Sequence, residues 1–123
     1  MTLELTVRKT ADAVVVSCSG RLVYGDETAE LRAVLKDVMG EDPRIVLDLA
    51  RVRDIDSGGL GTLVGLFTSA VRAGGELKLA GANAKVLHTL SITRLLGIIP
   101  AYERVEDALV AFRTGQPKRA NAS

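Results

Sequence analysis

The chain of 123 residues is poor in the residue types from which many specialised sites are built. It has no Trp, two Tyr, two Phe, one Cys and one His. Its sixteen basic and fifteen acidic residues leave a formal net charge of +1. A near-neutral chain has no general attraction to nucleic acid or to an anionic membrane, and so few aromatic rings are poorly suited to stack on bases. We therefore expect no direct contact with nucleic acid.

Cysteine and long apolar runs are equally scarce. The single cysteine, Cys18, cannot form an internal disulfide, and its apolar surroundings are typical of a buried thiol in a reducing compartment. The longest uncharged run, residues 57–71, is shorter than the roughly 20 apolar residues that a membrane-spanning helix needs. The N-terminus alternates apolar and polar residues and has no apolar signal-peptide core. These absences predict a cytoplasmic protein without membrane insertion.

Apolar residues recur every second position in some segments and at helical spacing in others. Strands are predicted at residues 3–7, 13–19, 45–49, 76–80 and 98–99. The first helix is predicted to begin near Asp26, with Asp26 or Thr28 as its cap, and to end at Gly40. The second is predicted to begin at Ser57, and two more are predicted at residues 84–90 and 105–112, with an irregular turn at 92–96. The apolar face of the second helix is predicted to comprise Leu60, Leu63, Val64, Phe67 and Val71.

The order of these segments predicts the fold class. Strands that alternate with helices after an initial hairpin indicate an α/β domain with a mixed, mostly parallel sheet of four or five strands and about four helices. No repeat, linker or second domain is visible. We expect one domain at residues 1–113 and a flexible C-terminal tail at residues 114–123, because the tail is polar and built from small residues.

Residues 54–61, with the sequence DIDSGGLG, are the most distinctive stretch. They join the strand at 45–49 to the long apolar helix, so Ser57 is predicted to stand at the start of that helix. The first backbone N–H groups of a helix lack internal partners and carry partial positive charge. Ser57 is therefore predicted to be a helix cap. If it were phosphorylated, its phosphate would face the same N–H groups.

Other chemistry in this stretch is less well supported by the residues. Asp54 and Asp56 could bind Mg²⁺ or act as an acid–base pair, but no His or Cys is near them in sequence, and a structural or recognition role is the stronger interpretation. The glycine cluster matches neither phosphate-loop spacing. His88 has no Ser or Asp at a spacing that indicates a catalytic set. We expect no metal site, no cofactor and no enzymatic activity.

The sequence DSGGLG at residues 56–61 resembles the Asp-Ser-Ser-Gly-Leu-Gly signature of STAS domains, the sulfate-transporter and anti-sigma-factor-antagonist family. The resemblance covers residues 3–112, and the segments IVLDL at 45–49 and GGELKL at 74–79 fall where that family has a central strand and a Gly-Gly turn. It implies helices packed largely on one side of the sheet. It also implies an anti-sigma factor antagonist, which binds an anti-sigma factor of the serine-kinase type and so releases a sigma factor.

The resemblance implies a partner-binding surface around this loop. Its expected members are Tyr24, Asp26, Asp54, Asp56, Ser57, Gly58, Gly59, Leu60 and Thr62. Ser57 is the phospho-acceptor candidate, ahead of Thr62 and Ser69. The expected partner is an anti-sigma factor with serine-kinase activity, and the resemblance also allows a serine phosphatase as a second partner. The chain is expected to be a monomer or a weak dimer.

Two residues depart from the family pattern. The phosphorylated residue of the family is the second serine of the pair, where this chain has Gly58, and an Asp tends to follow the Gly-x-Leu of the second strand, where this chain has Val23. Two alternatives stay open: Ser57 serves as the acceptor, or the chain binds its partner without being phosphorylated there. The same departures favour a second function, a STAS scaffold or accessory subunit of a signalling or lipid-transport complex. A third, a small nucleotide-binding enzyme, lacks a motif.

Overall fold

The computed structural model describes residues 3–115. Its strands are β1 (Glu4–Lys9), β2 (Val14–Leu22), β3 (Arg44–Ile55), β4 (Glu76–Ala80) and β5 (Ala101–Tyr102). Its helices are α1 (Asp26–Glu41), α2 (Ser57–Arg72), α3 (Ala84–Ile92) and α4 (Val105–Thr114), with a 3-10 turn at Leu95–Gly97. The order of strands and helices is the predicted one. The predicted tail lies outside the described residues from position 116 onward.

The five strands form one sheet in the order β1-β2-β3-β4-β5. β1 and β2 pair antiparallel, and the other three pairs are parallel. The prediction of a mixed, mostly parallel sheet is therefore confirmed. Residues 45–49 of β3 are apolar except at Asp48 because both faces of this segment are covered: Ile45 and Leu47 pack in one core, and Val46 packs in the other.

The helices lie unequally on the two faces of the sheet. Leu31 of α1, Leu63 of α2 and Leu90 of α3 are fully buried in one core. Ala108 and Ala111 of α4 belong to a second, smaller core on the opposite face. Three helices thus share one face, which confirms the expectation that the helices pack largely on one side.

The predicted strand at residues 98–99 is wrong in position. The N–H groups of Ile98 and Ile99 both donate to the carbonyl oxygen of Leu95, at 2.9 and 2.8 Å, so these residues close the 3-10 turn. Pairing with β4 starts two residues later, where the Pro100 carbonyl accepts from Leu79 N–H at 2.8 Å. The apolar pattern does not distinguish the two structures, because a short apolar run fits a buried turn as well as a strand.

Two details of the helices also differ from the prediction. The N-cap of α1 is Gly25, so the prediction of Asp26 or Thr28 as the cap is wrong. Thr28 supports the cap, because its hydroxyl accepts from the Gly25 N–H at 3.3 Å and donates to the Gly25 carbonyl oxygen at 3.0 Å. α1 continues one residue past Gly40. The buried residues of α2 are Gly59, Thr62, Leu63, Leu66 and Ala70, whereas Val71 is half exposed, so the predicted apolar face is displaced around the helix.

Candidate functional site

The candidate site lies where β2 and β3 end beside the starts of α1 and α2. Leu22, the last residue of β2, is paired with Ile55, the last residue of β3. The Asp56 N–H continues this contact, since it donates to the Leu22 carbonyl oxygen at 3.3 Å. The parallel pairing therefore brings the loop at residues 23–25 against the first turn of α2, although the two segments are far apart in the sequence.

Asp56, and not Ser57, is the N-cap of α2. Asp56 has an extended backbone, and its Oδ1 accepts from Gly59 N–H at 2.8 Å. Ser57 is the first residue of the helix instead of its cap. Both residue types are good caps; Asp56 takes the position because its N–H is held by β2 and its carboxylate reaches the third residue of the helix. The prediction that Ser57 caps α2 is therefore wrong.

The Asp56 carboxylate also holds the loop before α1. The Tyr24 N–H donates to both of its oxygens, at 3.2 and 3.1 Å. One carboxylate thus satisfies N–H groups from two segments and ties them together. These N–H groups, that of Gly59 first and that of Tyr24 second, stabilise the charged form and hold the pKa of Asp56 below its ordinary value.

Ser57 presents its side chain to solvent at the positive end of α2. The residue is exposed, and within residues 3–115 its hydroxyl makes no hydrogen bond. A hydroxyl in this position is accessible to an enzyme. An added phosphate would lie next to the first N–H groups of a sixteen-residue helix, where anions are favoured.

Gly58 is required by the position of Tyr24. A Cβ on Gly58 would lie 2.5 Å from Tyr24 Cβ and 3.1 Å from Tyr24 Cα. No side chain fits there unless the loop moves, so the serine that the family pattern has at this position would collide with Tyr24. The ring of Tyr24 is itself solvent-facing, and the residue is 80% exposed. The substitution of serine by glycine and the exposed tyrosine are therefore one structural feature.

Gly59 and Thr62 shape the site from inside. A Cβ on Gly59 would lie 2.1 Å from the Leu22 carbonyl oxygen and 2.8 Å from Ile55 Cγ1, so glycine is needed where α2 crosses the end of β2. Thr62 is 1% exposed, and its hydroxyl donates to the Gly58 carbonyl oxygen at 2.8 Å. The Thr62 hydroxyl is therefore inaccessible as a phospho-acceptor. Both residues position the surface without contributing to it.

Asp54 takes part in a separate group of charges. Its carboxylate lies 3.8 Å from Arg21 and 3.5 Å from Lys85, whereas the Asp56 carboxylate is occupied by backbone N–H groups. Arg21 is the β2 residue paired with Asp54. The two aspartates therefore do not combine into one site. Nowhere in residues 3–115 do three or more His, Cys, Asp or Glu side chains form a group that could hold a metal ion.

Arg21 and Lys85 are members of the site region that the sequence did not indicate. Lys85 is placed by Asn83, which caps α3 through Val86 N–H at 2.8 Å and donates its own amide to the Val52 carbonyl oxygen at 3.0 Å. Arg21 could have been found from the strand register once Asp54 was assigned to β3. No local pattern reveals Lys85, because its approach to Asp54 depends on the packing of α3.

The other residues considered in the sequence lie on several different elements. Asp26 is exposed at the first position of α1, and Leu60 is half-buried in the first turn of α2. His88 is exposed on α3.

Cys18 is buried as predicted. Burial is the larger cause and the charge of Asp48 the smaller one that together raise the pKa of its thiol to about 12. Among the helices at residues 3–115 none has the length and apolar character needed to cross a membrane.

The Asp56 contacts lead to a prediction for stability. Replacing Asp56 with Ala is expected to lower the free energy of unfolding by about 1–2 kcal/mol, because the Gly59 and Tyr24 N–H groups lose their acceptor. Urea unfolding followed by circular dichroism measures this loss. Asp54→Ala is the matched control and should cost less, about 0–1 kcal/mol, because its ion pairs are solvent-exposed. Equal losses in the two variants would contradict the assigned role of Asp56.

The same carboxylate should make stability depend on pH. Because the pKa of Asp56 is lower in the folded state than in the unfolded chain, its stabilisation is fully present above the unfolded value, about 3.9, and is lost as the pH falls through the folded value. Asp56→Asn keeps a capping oxygen without the titration. The stability difference between the wild-type protein and this variant should therefore shrink as the pH is lowered below about 4. A difference independent of pH would contradict the assignment.

Comparison with known proteins identifies the family and the fold of this chain. The STAS domain family matches residues 4–108. The anti-sigma-B factor antagonist of Bacillus subtilis is 31% identical over 100 residues, which cover 80% of this chain and 90% of that protein. Two crystal structures superpose closely. Protein TM1081 of Thermotoga maritima has a TM-score of 0.82 and 26% identity, and the match covers 89% of this chain and 94% of that protein. An anti-sigma factor antagonist of Mycobacterium paratuberculosis has a TM-score of 0.78 and 26% identity, and the match covers 90% of this chain and 94% of that protein. The chain therefore belongs to the STAS domain family.

Proposed function

We propose that this chain is an anti-sigma factor antagonist, which binds an anti-sigma factor of the serine-kinase type in the cytoplasm and so frees a sigma factor for transcription. The names of relatives that match most of the chain support the general role. The observation that carries the proposal is the surface formed by the loop at residues 23–25 and the first turn of α2. Asp56 holds these two segments together, and Tyr24 and Ser57 are exposed on it.

Tyr24 has the properties of an interface anchor. The residue is 80% exposed, while its backbone is fixed by the Asp56 carboxylate and packed against Gly58. An aromatic side chain on a loop that is already ordered buries a large area on binding and loses little conformational entropy. Exposed Asp26 at the start of α1 adds an acidic group nearby in the chain. This surface therefore fits a partner that offers an apolar pocket beside basic side chains.

We further propose that phosphorylation of Ser57 weakens this interaction. The phosphate would be stabilised locally by the start of α2, yet it would add about two negative charges to the surface that the partner covers. A 100-fold loss of affinity corresponds to about 2.7 kcal/mol, which one repelled and desolvated phosphate can supply. Gly58 has no hydroxyl and Thr62 is buried, so Ser57 is the acceptor that this first turn offers.

One observation favours the second function, a STAS scaffold or accessory subunit that is not phosphorylated. Tyr24 covers the position at which the family pattern has its acceptor serine. A chain that has filled this position with an aromatic contact can use the same surface for permanent binding. Such a protein would use this surface to bind a subunit of a signalling or lipid-transport complex instead of an anti-sigma factor, and ATP would not change that affinity.

The test uses a candidate anti-sigma kinase encoded in the same genome. The wild-type protein, Ser57→Ala and the control Ser69→Ala are each mixed with the kinase and ATP, and intact mass and complex formation are measured. We expect the wild-type protein and Ser69→Ala to gain one phosphoryl group and to lose affinity, and Ser57→Ala to bind without a mass gain. Ser69 is exposed in the same helix, several turns away.

Each other outcome separates the parts of the proposal. A complex without any mass gain contradicts the switch at Ser57 and leaves the antagonist function standing. A mass gain that persists in Ser57→Ala places the acceptor elsewhere. If neither a complex nor a mass gain is observed with any anti-sigma kinase of that genome, the antagonist function is rejected in favour of the scaffold.

A further inference from the structure

β1 is an edge strand whose outer side has no partner strand within residues 3–115. Among the described strands it pairs with β2 alone, in a continuous register from Glu4–Ser19 to Lys9–Val14. An uncovered edge of six residues presents a row of N–H and C=O groups to another chain, and proteins usually blunt such edges with charge, proline or a bulge. β1 has no proline and no bulge, so its charges decide what can pair with it.

The hairpin defines which backbone groups of β1 face outward. Thr10 N–H donates to the Ala13 carbonyl oxygen at 3.0 Å, which continues the register of β1 and β2. In an antiparallel pair, residues alternate between those whose N–H and C=O face the neighbour and those whose groups face away. Since Thr10 faces β2, so do residues 4, 6 and 8. The backbone groups of Leu5, Val7 and Lys9 therefore face away from β2.

The side chains of β1 are self-complementary in one antiparallel register. If two copies pair with Thr6 opposite Thr6, Glu4 of each copy lies opposite Arg8 of the other, and Leu5 lies opposite Val7. Leu5 and Val7 are both residues whose backbone N–H and C=O groups face away from β2. In this register they lie opposite each other, so the backbone hydrogen bonds between the two copies can form. Glu4–Arg8 then falls at the closer, non-hydrogen-bonded positions, where cross-strand side chains interact most directly.

The residues concerned are available for such a contact. Glu4 and Arg8 are exposed, and neither makes an ion pair within residues 3–115. Val7 is 43% exposed, and Leu5 is only partly covered by the main core. Pairing would cover both apolar side chains and neutralise two unpaired charges in each copy. Other in-phase registers oppose Glu4 with Thr6 or with Thr10 and leave the charges unmatched.

We propose that two copies of this chain associate through β1 into a symmetric dimer with one continuous ten-stranded sheet. The contact is isologous, because the same strand serves both copies. It involves one strand from each copy, so the dimer should be weak and should form as the protein concentration rises. The residues of β1 are not among those that form the surface around Tyr24 and Ser57, so the two proposed contacts use different residues.

The test exchanges charges across the proposed contact. Glu4→Arg places two cations opposite each other at both ends of the dimer, and Arg8→Glu places two anions there. Sedimentation analysis over a range of concentrations should show that each variant associates at least about tenfold more weakly than the wild-type protein. An equimolar mixture of the two variants should associate again, because each end of the mixed dimer then joins opposite charges. Arg32→Glu, on the exposed face of α1, is the control and should behave as the wild-type protein.

A second variant tests the backbone contact. Val7→Pro removes an outward-facing N–H and leaves the hydrogen bonds to β2, so it should abolish the dimer while circular dichroism remains that of the folded domain. A wild-type protein that stays monomeric at all concentrations overturns the proposal. Dimerisation that is unchanged in both charge variants, or a mixture that fails to associate, likewise assigns the contact to another surface.

Discussion

Gly59→Ala is expected to destabilise the domain by about 3 kcal/mol, the largest effect of any single methyl group added at the site. The new Cβ would lie 2.1 Å from the Leu22 carbonyl oxygen and 2.8 Å from Ile55 Cγ1. The first of these contacts is with backbone, which cannot rotate away. α2 would have to move off the end of β2, and the Asp56 hydrogen bond to Gly59 would be strained with it.

Gly61→Ala is the matched control for this substitution. Gly61 lies two residues further along α2 and is exposed, and a Cβ there meets nothing within 4 Å. Alanine is the better helix former, so this variant should gain about 0.5–1 kcal/mol. Urea unfolding of the two variants therefore gives shifts of opposite sign. If Gly59→Ala were as stable as the wild-type protein, the close packing of α2 on β2 would be contradicted.

Tyr24→Ala is expected to weaken binding to the anti-sigma factor by at least about 2 kcal/mol, or roughly 30-fold, with the fold intact. Tyr24 is 80% exposed in the free domain, so removal of its ring costs little packing energy. Its contribution arises when a partner covers it. The loss should appear mainly as faster dissociation, because truncating an interface side chain rarely changes the encounter rate.

Calorimetric titration of the anti-sigma factor with Tyr24→Ala measures this loss of affinity directly. Ile92→Ala is the control, since Ile92 is also a large exposed apolar residue, at 65%, but lies at the end of α3. It should bind as the wild-type protein does. Equal affinity of Tyr24→Ala and the wild-type protein would remove Tyr24 from the interface and weaken the case for the surface around it.

Much of the fold follows from the hydrophobic pattern because the pattern records burial. Residues 45–49 of β3 are covered on both faces and are therefore apolar except at Asp48, and α1 is covered on one side and is therefore apolar at Leu31 and Leu35. The pattern fails where burial is unrelated to periodicity. Ile98 and Ile99 are apolar in a turn that closes on Leu95, and the sheet resumes only after Pro100.

The site was predictable in position but not in its contacts. The sequence contains two good capping residues in succession, Asp56 and Ser57, and only the hydrogen bond from Asp56 N–H to Leu22 decides between them. Gly58 likewise has no local explanation. It is explained by Tyr24, whose approach depends on the pairing of β2 with β3 and on the Asp56 carboxylate. Contacts between residues distant in sequence are the part that a pattern cannot supply.

Amide hydrogen exchange of the domain alone and in complex with its anti-sigma factor locates the binding surface directly. Binding is expected to slow exchange in the loop at residues 23–25, in the first turns of α1 and α2, and at the end of β3. Exchange in β1 and α4 should not change. A complex whose protection lies elsewhere, or no complex with any anti-sigma factor of the same genome, would contradict the proposal that this surface makes the chain an antagonist.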